Sequence, residues 1–205
     1  MIIDSLSFLA EFARNPLCVG AIAPSGAALA DRITAPIPTE GDPVVVELGP
    51  GTGAFTAAIQ RRLAGRGRHV AVEINSRFAA LLSARYRTVD VVNADAADLG
   101  AVLGLRGHAR ADVVVSGLPW AAFPAHRQDA ILREVVGALA DGGAFTTFAY
   151  LHAVWSPPAR RFRQALRARF DDLAIDRVVW SNLPPALTYH ARRPLRPGAE
   201  QRLVA

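Results

Sequence analysis

The stretch from Val44 to Thr56, VVVELGPGTGAFT, constrains the fold of this chain more than any other segment. Three β-branched residues lead into Glu47, and glycines follow at alternating positions from Gly49 to Gly53. An apolar strand that runs into a glycine loop and then a helix is the first unit of a nucleotide-binding α/β fold. Glycines let the backbone of such a loop approach a ligand where a Cβ atom would collide. The sequence therefore predicts a cofactor at the carboxyl end of this strand.

Length and composition are typical of a globular protein with one main core. The chain has 205 residues, of which 51% are hydrophobic and 20% are charged. It contains no apolar run long enough to span a bilayer and no basic segment followed by an apolar one at its start. The single cysteine, Cys18, cannot form an internal disulfide. We therefore expect a cytoplasmic protein, and peripheral contact with the inner face of the membrane stays open.

Positive charge is concentrated towards the C-terminus. All 23 basic residues are arginine, and residues 1–159 carry 13 of them against 14 acidic residues. Residues 160–205 carry 10 arginines against 4 acidic residues. A basic patch of this kind suits the phosphates of an anionic membrane surface or of nucleic acid. A solvated, salt-bridged helix face explains any single arginine nearly as well.

Alternating strand and helix patterns predict a mostly parallel sheet of seven strands with helices on both faces, a Rossmann-like α/β fold. The five expected parallel strands lie at residues 43–48, 69–74, 89–93, 112–116 and 144–151. Expected helices lie at 56–63, 76–86, 97–103, 126–139 and 158–170, and Asp141-Gly142-Gly143 is expected to be a turn. Two last strands, at 173–180 and 186–192, are expected to form an antiparallel hairpin, because only a short turn separates them.

Residues 1–42 are predicted to form a helical N-terminal extension to the main domain at 43–205. The pattern of Ile2, Leu6 and Leu9 predicts a helix over residues 2–14, and Ser25 is a suitable N-cap for a second, short helix. The first helix could cover the site as a lid or lie in the membrane interface, and the sequence leaves both alternatives open.

The glycine loop alone does not decide the cofactor, because Gly49 to Ala54 also satisfies the G-x-G-x-x-A pattern of NAD sites. A carboxylate at Glu73, where the second strand ends, would bind the ribose hydroxyls of NAD and of S-adenosylmethionine equally well. The segment from Glu47 resembles motif I of class I methyltransferases, in which the acid lies beside the amino-acid end of S-adenosylmethionine. The same resemblance implies that Asp95 binds the adenine amino group. Glu47 could instead be a strand-end carboxylate bonded to loop amides, and Asp95 could simply cap the next helix. Together, however, the two acids favour S-adenosylmethionine over NAD.

Four segments resemble the bacterial phospholipid N-methyltransferases and, more distantly, the ribosomal RNA adenine dimethyltransferases. They are RNPLCVGAIAPSG at 14–26, VELGPGTGAFT at 46–56, SGLPW at 116–120 and VVWSNLPPALTYHARRP at 178–194. The first and last segments favour the phospholipid group. The resemblance implies a class I methyltransferase fold and N-methylation of phosphatidylethanolamine, and of its methylated intermediates, towards phosphatidylcholine.

The motifs and the resemblance together define the candidate site residues. Cofactor contacts are expected from Glu47, Gly49, Gly51, Gly53, Glu73, Ile74, Asp95, Ala96, Ser116 and Gly117. Substrate contacts are expected from Leu118, Pro119, Trp120, Arg160 and Arg163. The candidate catalytic residues are Tyr150, His152 and Tyr189, with His190 as a further candidate base. Each of these aromatic side chains also fits ordinary core packing, and the five histidines lack metal-ligand spacing, so we expect no metal.

The sequence fits other methyl acceptors less well than a lipid amine. In the ribosomal RNA adenine dimethyltransferases, an Asn or Asp usually precedes the Pro-aromatic element and accepts a hydrogen bond from the target amine. This chain has Gly117 at that position. It also lacks a helical C-terminal domain large enough to grip folded RNA, so nucleic acid is the disfavoured partner. A tailoring methyltransferase for a small soluble substrate remains the main alternative, followed by a cofactor-dependent binding protein without catalysis.

Overall fold

Seven strands form a single sheet in the computed structural model, which describes residues 26–196. They are β1 (Val44–Leu48), β2 (Arg68–Glu73), β3 (Asp90–Asn93), β4 (Ala111–Ser116), β5 (Leu139–Tyr150), β6 (Phe170–Ile175) and β7 (Ala186–Pro194). The spatial order is β3-β2-β1-β4-β5-β7-β6. The first five strands pair in parallel, and β7 runs antiparallel to both β5 and β6. This confirms the expected Rossmann-like sheet with an antiparallel end.

Six α-helices accompany the strands within the described residues. They are α1 (Ala27–Ile33), α2 (Ala54–Leu63), α3 (Ser76–Arg85), α4 (Leu99–Gly104), α5 (Ala125–Ala138) and α6 (Pro157–Arg167). Local chemistry sets two of the starts, because Asn75 accepts hydrogen bonds from the first turn of α3 and Ser156 does the same for α6. None of these helices is long and apolar enough to cross a membrane. The helix predicted at 2–14 and the predicted cap Ser25 lie outside the described residues.

The core has a layer on each face of the sheet, as the alternation of side chains along β1 requires. Val46 and Leu48 point into a layer that α4, α5 and α6 cover, whereas Val45 points into a layer covered by α1 and α2. Leu29 and Ile33 of α1 are fully buried in this second layer. The segment directly before β1 is therefore packed onto the main domain.

The end of the sheet differs from the sequence prediction in the position of β6. The strand lies at Phe170–Ile175 and not at 173–180, so residues 176–185 form a long loop where a short turn was expected. Phe170 anchors the strand because its buried ring stacks on Phe145, with ring centroids 6.1 Å apart. The apolar Val179 is buried through an isolated bridge to Ala186 instead. The turn expected at 141–143 was also wrong, since β5 already begins at Leu139.

Candidate active site

A cavity of about 690 Å³ opens at the carboxyl ends of the parallel strands. The glycine loop after β1, the end of β2, the loop after β4 and residues 148–156 surround it. The strand order of the sheet reverses here, between β1 and β4. Ligands of open α/β sheets bind at such a topological switch point. The fold thus brings most of the residues singled out in the sequence into one site.

The candidate residues divide into those that line the cavity and those that do not. The lining contains Gly49, Gly51, Glu73, Ile74, Asp95, Ala96, Gly117, Leu118, Pro119, Trp120, Tyr150, His152 and Tyr189. Outside it lie Glu47, Gly53, Ser116, Arg160 and Arg163. Sequence reasoning missed further lining residues, among them Phe78, Phe123, Arg127, Ile131, Phe148 and Phe162. Apart from Arg127 these are apolar, and nothing in the chain pattern separates them from ordinary core residues.

Glu73 at the end of β2 is held by two backbone amides. Its Oε2 accepts a hydrogen bond from the Gly51 amide at 3.0 Å, and its Oε1 accepts one from the Asn75 amide at 2.9 Å. Burial raises the pKa of the Glu73 carboxyl above its usual value, although the two amides oppose this rise and the Glu47 charge adds to it. Each carboxylate oxygen keeps a further lone pair, so the side chain can still accept hydrogen bonds from hydroxyl groups in the cavity.

Asp95 is engaged by an arginine from a distant helix. Its Oδ1 accepts from the Ala97 amide at 2.8 Å, and Arg127 Nη2 lies 2.5 and 2.6 Å from the two carboxylate oxygens. Arg127 Nε is buried and has no hydrogen-bond partner within residues 26–196. The helical spacing of Arg127 could have indicated this role, because the residue lies one turn before the buried, cavity-lining Ile131 and so on the same face of α5. A charged residue on the buried stripe of a helix calls for a partner.

Glu47 lies beneath the glycine loop, outside the cavity lining. The carboxylate is fully buried, and its Oε2 accepts a hydrogen bond from Thr56 Oγ1 at 2.7 Å. His69 Nε2 is 3.2 Å from the same oxygen, while its Nδ1 is 2.9 Å from Gln60 Nε2. Thr88 donates to the Gln60 carbonyl oxygen, so the Gln60 amide nitrogen faces Nδ1, while His69 Nε2 and Glu47 Oε1 make no hydrogen bond within residues 26–196. This buried chain braces the start of α2, and sequence reasoning missed the histidine because it lies within an apolar strand.

Gly53 has a packing role at the start of α2. Its φ of 88° is one that residues with a side chain rarely adopt. A Cβ atom at this position would also lie 3.0 Å from Leu82 Cδ1 and 3.1 Å from Tyr86 Cε2. The glycine therefore lets α2 begin close to α3.

The segment from Ser116 to Trp120 is organised from behind by a buried hydroxyl. Ser116 Oγ accepts hydrogen bonds from Trp120 Nε1 at 3.1 Å and from the Leu118 amide at 3.3 Å. A Cβ atom at Gly117 would come within 2.7 Å of the Gly49 carbonyl oxygen, so the two loops cross in direct contact. The Trp120 ring is 3% exposed and stacks on Phe162 with centroids 4.4 Å apart, so most of it belongs to the core.

Three candidate catalytic side chains line the cavity from β5, from the turn that follows it and from β7. Tyr150 and His152 stack with ring centroids 5.8 Å apart, whereas Tyr189 lies on the opposite face of the sheet, where its ring packs against Phe162 at 6.4 Å. Burial raises the pKa of both tyrosines, and nearby Arg163 and Arg167 partly oppose this for Tyr189. The two phenols are therefore protonated at neutral pH. His152 is exposed, and an imidazole is the side chain best suited to accept a proton near neutral pH.

His190 lies outside the cavity lining, on the face of β7 opposite to that of Tyr189. Thr146 and Thr188 hydroxyls lie 3.2 and 3.1 Å from its two ring nitrogens, and burial lowers its pKa. It is therefore held as a neutral structural residue. Within residues 26–196 no group of three or more His, Cys, Asp or Glu side chains is arranged to hold a metal ion.

Comparisons with known proteins agree with this geometry. A family model described as "Methyltransferase domain" matches residues 45–143. The ornithine lipid N-methyltransferase of Singulisphaera acidiphila is 35% identical over 192 residues, which make up 92% of this chain and 96% of that protein.

Solved structures show the same fold at low identity. An O-methyltransferase from Bacillus cereus in complex with SAH superposes with a TM-score of 0.64 at 14% identity, and 91% of each chain is covered. An rRNA methylase from Streptococcus thermophilus gives a TM-score of 0.56 at 15% identity, covering 80% of this chain and 94% of that one.

Fold and site therefore define a class I methyltransferase whose cofactor is S-adenosylmethionine. The chain belongs to the bacterial family of N-methyltransferases that includes the ornithine lipid enzyme, which confirms the resemblance found in its sequence.

Proposed function

We propose that this enzyme methylates the amine of a zwitterionic membrane lipid, with phosphatidylethanolamine and its mono- and dimethyl forms as substrates. One observation carries the proposal: a single cavity joins a carboxylate end at Glu73 and Asp95 to an aromatic end at Tyr150, His152 and Tyr189. The relative's lipid substrate supports the choice of a lipid. It also makes the ornithine headgroup the second candidate.

The carboxylate end fits S-adenosylmethionine. Glu73 offers ordered acceptor oxygens for the ribose hydroxyls, and Asp95 offers one for the adenine amino group. At Gly51 a Cβ atom would meet nothing within 4 Å, so the loop leaves open space for a ligand beside its backbone. Ile74 and Ala96 line the same end with apolar surface.

Catalysis needs alignment, proton removal and exclusion of water. Bound S-adenosylmethionine supplies an activated methyl group on a positively charged sulfur. The aromatic lining, which includes Phe148 and Phe162, keeps water away and offers ring faces to an ammonium group. An ammonium must lose a proton before its nitrogen can attack, and we assign the acceptor role to His152. The protonated phenols of Tyr150 and Tyr189 act as hydrogen-bond donors and ring surfaces.

We assign the binding of the anionic group of the lipid headgroup to helix α6. Arg163 is close enough to Tyr189 to affect its pKa, and within the described residues its side chain has no ion pair. A phosphate one short linker away from the amine would therefore find a cation beside the aromatic end. An ornithine headgroup also combines an amine with an anionic group, so the same arrangement suits both lipids.

The proposal is tested with S-adenosylmethionine labelled at its methyl group. Vesicles containing phosphatidylethanolamine or ornithine lipid are incubated with the protein, and the lipids are resolved by headgroup. We expect labelled mono- and dimethyl lipid from phosphatidylethanolamine, and no label with vesicles of phosphatidylcholine alone, whose nitrogen is already fully methylated.

If only ornithine lipid becomes labelled, the proposed phosphatidylethanolamine headgroup is wrong, but the proposed substrate class, a membrane lipid, is kept. Label only in a soluble amine such as phosphoethanolamine would replace the lipid with a small-molecule acceptor. No labelled acceptor, while the cofactor still binds, would contradict the proposal. Ribosomal RNA fragments serve as a further arm, where no label is expected because Gly117 has no side-chain acceptor.

A further inference from the structure

Three large apolar side chains are exposed at the same edge of the sheet as the cavity. Trp155 is 73% exposed, Trp180 is 71% exposed and Leu183 is 77% exposed. Trp155 lies between the end of β5 and α6, and the other two lie in the loop at 176–185. None of the three lines the cavity. We call these three residues the apolar rim.

The rim is held in place by its own loops. The Leu151 amide donates to the Pro185 carbonyl at 2.8 Å and so joins the two rim segments. Asn182 is buried, and its side chain donates to the Pro184 carbonyl at 2.7 Å and accepts from the Gly26 amide at 2.8 Å. Between Trp180 and Leu183, the loop thus turns a polar residue inward and leaves the apolar ones outside. This is the reverse of the usual distribution and is typical of an interaction surface.

Positive charge adjoins the rim. Helix α6 begins two residues after Trp155 and buries Phe162 and Leu166 on one face. Its exposed side includes Arg160, Arg161 and Arg167, whose side chains make no ion pair within residues 26–196. Tryptophan next to arginine matches the chemistry of an anionic bilayer, where the indole lies at the headgroup level and the guanidinium meets the phosphates.

We propose that the apolar rim inserts into the headgroup region of an anionic phospholipid bilayer and turns the mouth of the cavity towards it. The inference rests on the proposed function, because a lipid substrate has to pass from the bilayer to the cavity. Insertion at the mouth would shorten that path and keep the lipid's acyl chains in an apolar setting.

The test is co-flotation of the full-length protein with vesicles of phosphatidylglycerol and phosphatidylcholine. The variants are Trp155→Ser, Trp180→Ser and Leu183→Ser, singly and together. Leu105→Ser is the matched control, because this leucine is 85% exposed but lies before β4, at the opposite edge of the sheet. The triple variant should lower the vesicle partition coefficient by about tenfold or more. The control should partition like the wild type, and thermal unfolding verifies that each variant is folded.

Tryptophan fluorescence gives a second readout. The emission of Trp155 and Trp180 should shift to the blue when vesicles are added, and each Trp→Phe variant should remove part of the shift. Buried Trp120 contributes an unchanged background. An emission that is already blue without vesicles and does not move would mean that another part of the chain covers the rim, and would overturn the proposal.

Activity separates this inference from the proposed function. The triple variant should lose methylation of vesicle lipid but keep the wild-type rate on a short-chain, monomeric phosphatidylethanolamine. If the wild type methylates neither lipid, the proposed function fails, while flotation still decides the role of the rim. If the triple variant floats with vesicles as the wild type does, the proposal that the apolar rim inserts into the bilayer is wrong, even if lipid methylation is confirmed.

Discussion

At the scale of single residues, the buried carboxyl of Glu73 is expected to make cofactor binding depend on pH. Burial raises its pKa above 4.5, so the folded protein takes up this proton at a higher pH than an exposed glutamate would. Affinity for S-adenosylmethionine should be full at neutral pH and should fall as the pH drops through the raised pKa, because protonation removes acceptor capacity. Calorimetric titration across this pH range measures the effect.

Glu73→Gln provides the comparison for that titration. It should bind the cofactor weakly at neutral pH and lose most of the acidic dependence. An unchanged pH profile in this variant would mean that another group controls binding. Since the raised pKa favours the protonated form, the unliganded wild type should lose stability as the pH rises from 4.5 through the raised pKa, and the variant should not.

Arg127 is expected to position Asp95 for the adenine end of the cofactor. Arg127→Ala would free the carboxylate from its two-point contact and should raise the cofactor Kd by about tenfold, corresponding to a loss of about 1.4 kcal/mol. The turnover rate at saturating cofactor should change little, because the contact that is lost is the one to Asp95.

Arg61→Ala is the control for Arg127, since Arg61 forms an exposed ion pair with Asp31 at 3.0 Å. It should leave the Kd unchanged. A fall in turnover without a change in Kd for Arg127→Ala would place the arginine at the acceptor and not at the cofactor.

His152 is expected to take the proton of the amine. His152→Asn should lower the rate of lipid methylation by about a hundredfold near neutral pH, which is typical for loss of a general base. Raising the pH should restore part of the rate, because more of the amine is then free of its proton. His126→Asn, at an exposed position on α5 outside the cavity lining, is the control. Equal rates in the two variants would exclude the assignment.

Some of these residues were accessible from sequence and others were not. Glu73 lies at the carboxyl end of a predicted strand and Asp95 lies two residues beyond the end of the next one, so their place at the cavity edge follows from the parallel sheet. Glu47 is also next to the loop, but side-chain alternation along β1 turns it towards His69 and away from the cavity. The contact between Asp95 and Arg127 joins residues 32 positions apart, and no local pattern encodes it.

At the scale of elements, the crossing of two loops sets the shape of the cavity. Gly117→Ala should destabilise the protein by about 1–3 kcal/mol, because the new methyl group would meet the Gly49 backbone oxygen at 2.7 Å. The free energy of unfolding in urea measures this. Gly137→Ala, within α5 with nothing inside 4 Å, should instead stabilise by about 0.4–1 kcal/mol. Equal effects in both variants would mean that the loops have room to separate.

The order of strands and helices was predictable, and the bounds at the end of the chain were not. Apolar runs located the parallel strands, because β1, β2 and β4 are largely buried and the edge strand β3 still has two half-buried valines at its centre. For β6 the apolar run of Val178 to Trp180 was misleading. Pairing with β7 and the stack of Phe170 on Phe145 decide the strand, and both depend on contacts between distant residues.

At the scale of the whole molecule, the proposal divides one cavity into two ends. The parallel half of the sheet supplies the glycine loop, Glu73 and Asp95, whereas β5, β7 and α6 supply the aromatic end. Arg163 of α6 lies outside the cavity lining, and its charge partly opposes the rise in the pKa of Tyr189 that burial causes. The central claim is that these two ends bind different ligands, the cofactor and the lipid headgroup.

Measuring both cofactor affinity and vesicle lipid methylation in two variants tests this claim most directly. Glu73→Ala should weaken cofactor binding by about a hundredfold or more, as expected when a buried hydrogen-bonded charge is removed. Arg163→Ala should keep the wild-type cofactor Kd and lose lipid methylation alone. Equal loss of cofactor binding in both variants would contradict the division of the cavity into a cofactor end and a lipid end.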